Sequence, residues 1–165
     1  VIANYVFDSV PADIYEINDN SIYHLHATTM TNTENIGENN IPIDWKQIKI
    51  EQHRHRLDDK IKGDAAISNI LNEYRNKLQH SIITIPKHAM KAIERLTLLT
   101  EKLVLLSSDK AYSLLEDMDY KSFPHIAFHG SFSLDVNYQA LCRYIEFNGG
   151  ECHIANNSSG LKTII

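Results

Sequence analysis

Apolar residues fall into short runs that are separated by polar turns. Residues 1–7 are apolar and rich in β-branched and aromatic side chains, a pattern typical of a strand buried on both faces of a parallel sheet. Two shorter runs, 13–17 and 21–27, flank Asn18-Asp19-Asn20, and this spacing predicts a β-hairpin. The Thr-, Asn- and Glu-rich stretch that follows predicts a polar surface insertion over residues 30–64.

Helical periodicity is clearest in three later segments. Apolar side chains recur every three or four residues over 65–79, which predicts an amphipathic helix. A second helix is expected over 87–101. A third, from about 138 to 148, has an N-cap in Asp135 or Asn137 and a glycine pair directly after it. The charged segment 45–62 has only a weak helical pattern.

The remaining apolar runs predict short strands. Residues 103–106 form one, followed by the polar turn 107–110, and residues 125–129 are a further extended segment. Residues 151–155 and 161–165 are joined by a short polar link, so they must pair antiparallel, because a parallel pair needs a crossover of about a dozen residues. Helices that alternate with short apolar strands indicate an α/β fold.

Both ends of the chain lie within apolar runs. Natural termini are usually polar, so we expect a piece of a longer protein, folded as a single partial domain over 1–165. In a partial sheet, the strand at residues 1–7 would have an unpaired, apolar edge. The sequence therefore predicts either a homodimer that covers this edge or a missing N-terminal segment.

Charge and composition narrow the class of protein. The 165 residues include 16 Lys and Arg against 21 Asp and Glu, a net charge of −5. This balance is unlike that of proteins that coat nucleic acid or anionic membranes, so neither partner is expected. Two cysteines, Cys142 and Cys152, are too few for a disulfide framework and favour a reducing compartment, hence a cytoplasmic location. Cys142 lies among apolar residues and is expected in the core rather than as a nucleophile.

Nine histidines raise the question of a metal site. His24 and His26 lie two residues apart in the second strand of the predicted hairpin, and His53 and His55 repeat that spacing. No HExxH or CxxC motif accompanies them. Surface or hydrogen-bonded histidines are the alternative interpretation, and no metal ligand is assigned from the sequence.

Polar residues cluster at the ends of three predicted strands, in segments 4–11, 106–112 and 129–133. In α/β proteins, ligands bind outside the carboxyl ends of strands, so a shared edge would make these segments one site. A Ser–His–Asp hydrolase assembled from Ser131, His129 and Asp109 is an alternative, but the GxSxG motif is missing. No P-loop or GxGxxG motif occurs either.

The opening Ile2-Ala3-Asn4-Tyr5-Val6-Phe7-Asp8-Ser9-Val10-Pro11 resembles the fourth-strand motif of MidA-like S-adenosylmethionine-dependent methyltransferases, approximately I/L-A-N-E-x-F-D-A-L-P. A hairpin follows the motif in that family, as 13–27 does here. Segment 128–133 with its following helix, and 151–165, look like the family's H-V-D-F segment and its closing antiparallel strands. The resemblance implies the second half of a Rossmann-like methyltransferase sheet, from strand four to strand seven, with a hairpin and a helical insertion.

The resemblance also implies a cofactor and a set of site residues. The cofactor is S-adenosylmethionine, with its glycine-rich binding loop expected outside this chain. The methyl acceptor is left open, with a protein as one candidate. Tyr5 stands where the family has glutamate, so the family's guanidinium acceptor is not carried over. The implied residues are Asp8 and Asp109 for catalysis, with Asn4, Tyr5, His129 and Ser131 for substrate binding. A non-catalytic interaction or assembly module with a methyltransferase-like fold is the alternative.

Overall fold

The computed structural model contains a five-stranded sheet, a four-stranded sheet, a two-stranded ribbon and three α-helices in the part of the chain that it describes. It describes residues 1–30, 49–57, 64–119, 126–128, 132–155 and 161–164. The strands are β1 (Ile2–Asn4), β2 (Asp13–Asn18), β3 (Ser21–Met30), β4 (Lys49–Arg56), β5 (His80–Ile85), β6 (Leu106–Tyr112), β7 (Ile126–Phe128), β8 (Phe132–Leu134), β9 (Val136–Asn137), β10 (Ile154–Ala155) and β11 (Leu161–Ile164). The helices are α1 (Ala65–Lys77), α2 (Lys87–Thr97) and α3 (Tyr138–Phe147).

The five-stranded sheet mixes parallel and antiparallel pairs. Its order is β1-β6-β11-β10, and β9 pairs in parallel with the last residues of β6. β1 runs parallel to β6, with Asn4 opposite Ser108. β11 runs antiparallel to both β6 and β10. The predicted α/β class and the antiparallel closing strands are therefore confirmed.

The four-stranded sheet is antiparallel and has the order β4-β3-β2-β5. The predicted hairpin is its centre, and the turn residues Asp19 and Asn20 have φ angles of +46° and +62°. Two left-handed residues in a two-residue turn match the twist of a hairpin, and Asn and Asp tolerate this conformation. Within the predicted insertion, residues 49–56 form a strand rather than a helix, because β3 extends far enough to pair with all of them. The rest of 31–63, apart from Leu57, lies outside the described residues.

Two predicted strands of the larger sheet have different bounds. β1 ends at Asn4, and only Ala3 is buried within it, while Ile2 is 79% exposed. The expected burial on both faces is therefore wrong. β6 begins at Leu106, so the polar residues 107–110 lie inside a strand and not in a turn. Polar side chains are accommodated there because alternate ones are buried with hydrogen-bond partners from other elements.

The helices follow the predicted periodicity, with local caps. Asp64 caps α1 by accepting a hydrogen bond from the Ala66 N–H at 2.8 Å. Asn137 caps α3 by accepting one from the Ala140 N–H at 2.9 Å, and the helix ends before Gly149, whose φ is +82°. Both caps satisfy backbone donors that a helix leaves unpaired. α2 ends at Thr97, four residues earlier than predicted.

A buried hydrogen-bond network joins the two larger sheets to α1 and to Asn137, the cap of α3. The Tyr112 hydroxyl of β6 accepts a hydrogen bond from the Thr84 N–H of β5 at 2.9 Å. Asn137 Nδ2 donates to the Thr84 carbonyl at 2.9 Å, and the Tyr74 hydroxyl of α1 donates to Asn137 Oδ1 at 3.3 Å. Because these polar groups are buried, each would cost free energy without its partner. The network thus sets how β5 and α1 pack on β6.

The two cysteines are paired. Cys142 of α3 forms a disulfide with Cys152, ten residues later. Cys142 is 6% exposed, which agrees with its predicted place in the core. A disulfide is the opposite of what a reducing compartment favours, so the cytoplasmic location stays a prediction without support from the cysteines. Within the described ranges, no helix is long and apolar enough to cross a membrane.

Candidate functional site

The carboxyl end of β1 carries three of the predicted site residues. Asn4 ends the strand, and the Tyr5 N–H donates to the Ser108 carbonyl of β6 at 2.9 Å. Tyr5 then takes a left-handed backbone conformation, with φ of +52°. A single 3-10 turn, Phe7–Ser9, follows and carries Asp8. The chain therefore reverses directly after β1 and exposes Asn4 and Tyr5, with Asp8 half-buried.

The conformation of Tyr5 costs free energy. A left-handed residue that is not glycine is disfavoured because its Cβ approaches the backbone, and the side chain is bulky here. The Tyr5 side chain is 57% exposed, so burial does not offset this cost. Residues held in such a conformation cluster at functional sites, so this turn is a candidate functional site.

Asp109 lies beneath this turn. Its side chain is fully buried, and Oδ2 accepts hydrogen bonds from the Phe7 N–H at 3.2 Å and from the Tyr138 hydroxyl at 3.3 Å. Tyr138 in turn lies 2.7 Å from the Ser107 hydroxyl oxygen. Asp109 Oδ1 has no hydrogen-bond partner among the described residues. The carboxylate therefore ties the turn after β1 to β6 and to the first residue of α3.

Burial is the largest influence on the pKa values of Asp109 and Tyr138. It raises the pKa of Asp109, the hydrogen bond from the Phe7 backbone opposes the rise, and the nearby Asp8 carboxylate adds to it. Burial likewise raises the pKa of the Tyr138 hydroxyl, which stays protonated and can donate. Asp109 is thus more readily protonated than an ordinary aspartate.

Four of the six predicted site residues come together at this edge: Asn4, Tyr5, Asp8 and Asp109. His129 and Ser131 lie outside the described residues, and so does most of the hydrolase constellation that included them. Asp109 sits within β6 rather than in a turn at its end. Its complete burial favours a role in positioning the turn over direct contact with an acceptor.

Sequence reasoning missed Ser107 and Tyr138 as partners of Asp109. Ser107, Asp109 and Ala111 are buried at alternate positions, which is the period of a strand with one buried face. That alternation was the available signal, and the polar character of Ser107 and Asp109 masked it. Tyr138 directly follows the Asn137 cap, but its contact with residues about 30 positions earlier has no local signature.

No protein-family model matches the chain, and no curated protein matches it either.

Proposed function

We propose that this chain is the acceptor-side portion of an S-adenosylmethionine-dependent methyltransferase. One observation carries the proposal: the parallel pairing of β1 with β6 places Asn4, Tyr5 and Asp8 at a strand end, directly over buried Asp109. These are the residues that the opening motif assigns to the methyl donor and acceptor. Ligands of α/β proteins bind at such strand ends.

The arrangement of the sheet supports the same proposal. The resemblance implies a sheet that opens with strand four and closes with an antiparallel pair. Here β1 pairs in parallel with β6, and the closing strands β11 and β10 lie on the other side of β6. The hairpin β2–β3 follows the opening motif, as expected from the resemblance.

The residues at this edge fit a cationic methyl donor in one respect. An exposed tyrosine ring and a carboxylate, Tyr5 and Asp8, lie three residues apart beyond the same strand end. An aromatic face and a negative charge both attract a sulfonium cation. When bound, S-adenosylmethionine supplies an activated methyl group. The resemblance implies that most of its binding site would lie outside this chain.

The chain's own residues would orient the acceptor and take its proton. Methyl transfer needs an in-line approach of the nucleophile, so placement supplies much of the rate. Asp8 is half-buried and can accept a proton from the acceptor, whereas Asp109 holds the Phe7 N–H and thereby the turn that carries Asp8. Asn4 and Tyr5 would contact the acceptor. We also propose that the methyl acceptor is a protein and that the protein is cytoplasmic.

The first test is calorimetric titration of S-adenosylhomocysteine into the full-length gene product and into this chain. Binding to the full-length protein alone supports a site divided between this chain and a preceding segment. Binding to neither contradicts the proposal and favours the alternative, a non-catalytic interaction module, for which Tyr5 in place of glutamate is the motivating feature.

The second test is Asp8→Asn in the full-length protein. Loss of a positioned base reduces turnover by about 100-fold or more, and we expect that loss in methylation of a protein acceptor, with S-adenosylhomocysteine binding retained. Asp117→Asn is the matched control, because Asp117 is also half-buried and also lies in a single 3-10 turn, Leu115–Asp117. Equal turnover in the two variants would remove Asp8 from the mechanism.

A further inference from the structure

Four histidines share one face of the antiparallel sheet. His24 and His26 lie two apart on β3, and His53 and His55 lie two apart on β4. The register places His24 opposite His55 and His26 opposite His53. Directly opposite residues point to the same side of a sheet, as do residues two apart on one strand. We call this set of four side chains the histidine face.

The rings of the histidine face are close together. The centroids of His24 and His26 are 4.2 Å apart, and those of His26 and His55 are 5.1 Å apart. His24 also stacks on Tyr15 of β2, with centroids 4.8 Å apart. His26, His53 and His55 are exposed, and His24 is half-buried. Tyr15 thus contacts one ring of the face, and the other three rings are exposed.

The nearby arginines lie on the opposite face. Arg54 of β4 lies between His53 and His55 in sequence, so it alternates to the other side of the sheet. There its guanidinium stacks 4.1 Å from the centroid of the Tyr23 ring and lies 3.5 Å from a carboxylate oxygen of Glu16. Glu51, two residues before His53, shares the histidine face. The face therefore holds four imidazoles, the Glu51 carboxylate and, two residues before Glu51, the Lys49 ammonium, while the Arg54 guanidinium lies on the other side.

We propose that the histidine face binds a first-row divalent transition-metal ion, such as Zn²⁺, through imidazole nitrogens from both strands. Imidazole is a preferred ligand of zinc, copper and nickel, and it binds them in its neutral form. Two ligands two apart on one strand, with others directly across on the next, lie within reach of a single ion. The site does not depend on the proposed methyl transfer.

Binding requires the side chains to turn. Within the described part of the chain, no three or more His, Cys, Asp or Glu side chains form a ready-made metal site. The change required is rotation of the rings about their side-chain torsions, since the backbone register already brings the four residues together.

The experiment is a titration of the untagged chain with Co²⁺, followed by visible absorption, and then with Zn²⁺ as a competitor. We expect ligand-field bands of nitrogen-coordinated Co²⁺ that Zn²⁺ abolishes. The variant His26→Ala/His55→Ala should bind at least about 10-fold more weakly, since even groups that only orient metal ligands are worth about 10–100-fold in affinity. The matched control His80→Ala/His153→Ala removes two exposed histidines elsewhere and should bind as the parent does.

Equal affinity of the two double variants, or no ligand-field bands in the parent, would overturn the proposal. A measurement on the parent chain covers the case in which the double variant does not fold. Paramagnetic Ni²⁺ should broaden the imidazole NMR signals of the four histidines first, while those of His80 and His88 stay sharp. Broadening of all histidines alike would also contradict the site.

Discussion

Asp109 Oδ2 accepts a hydrogen bond from the backbone N–H of Phe7 at 3.2 Å, across 102 residues of sequence. This contact fastens the turn after β1 to the neighbouring strand. The turn contains the exposed Tyr5 in its left-handed conformation and the half-buried Asp8. The most conformationally costly part of the candidate site is therefore anchored by a carboxylate that is itself buried.

Replacing Asp109 should loosen this turn. In Asp109→Ala the Phe7 N–H loses its acceptor, and an unsatisfied buried donor costs about 1–3 kcal/mol. We expect the free energy of unfolding in urea to fall by that amount. Glu116→Ala, an exposed acid in another turn, serves as the control and should leave stability unchanged. A similar small effect for both variants would mean that Asp109 does not anchor the turn.

The raised pKa of Asp109 predicts a dependence of stability on pH. The folded chain holds this proton more tightly than the unfolded chain does. The resulting stabilisation is present at pH values below the ordinary pKa of 3.8, and it is lost as pH rises through the higher, folded-state pKa. The free energy of unfolding of the parent minus that of Asp109→Asn should therefore fall as pH rises from about 4 to about 7. Urea unfolding across that range measures it, and a rising difference would contradict the sign.

The contact between Thr84 and Tyr112 should contribute strongly to stability. Tyr112→Phe removes the acceptor of the buried Thr84 N–H and the oxygen 2.8 Å from the Thr84 hydroxyl. We expect a loss of about 1–3 kcal/mol in the free energy of unfolding. Tyr5→Phe removes a hydroxyl from a side chain that is 57% exposed and should cost little. A loss of stability in Tyr112→Phe that is as small as the loss in Tyr5→Phe would show that the network between the sheets is dispensable.

Glu73 links α1 to α3 and should matter more at neutral than at acidic pH. Burial raises its pKa, but hydrogen bonds from Lys77 and Arg143 outweigh this and lower it below 4.5. The stabilisation is therefore present above pH 4.5 and is lost as pH falls through the lowered pKa. Both partners are partly exposed, so Glu73→Gln should cost at most about 1 kcal/mol at neutral pH.

The pH profile of Glu73→Gln provides its own check. Below the lowered pKa, the variant and the parent should unfold at the same urea concentration, because both then carry a neutral side chain. Glu101→Gln, at an exposed position, should match the parent at every pH. A Glu73→Gln deficit that persists in acid would point to packing rather than to the ion pairs.

The disulfide between Cys142 and Cys152 predicts a stability that depends on redox conditions. Closing a loop of about ten residues is worth about 2–3 kcal/mol. Reduction by dithiothreitol should lower the free energy of unfolding of the parent by this amount and leave Cys152→Ser unchanged. Thiol titration under denaturing conditions should find no free thiol before reduction. Two free thiols before reduction, in protein purified from its natural source, would instead support the proposed cytoplasmic location.

Local chemistry of the sequence determined the hairpin and the helices. Asp19-Asn20 between two apolar runs specifies a two-residue turn, because these residues tolerate positive φ. The Asn137 cap and the glycine that follows α3 bound that helix within about one residue of its predicted ends. Periodicity and capping involve residues at most four apart, so they can be predicted without the rest of the fold.

Only the tertiary structure decided the positions that depend on distant partners. Ser107 and Asp109 belong to a strand because Tyr138 and Phe7, from other elements, satisfy their polar groups. The histidine face exists because β3 and β4 pair in one register, and a shift by one residue would send the two histidine pairs to opposite faces. Such contacts join segments about 30 to 100 residues apart, and no local pattern of hydrophobic and polar residues specifies them.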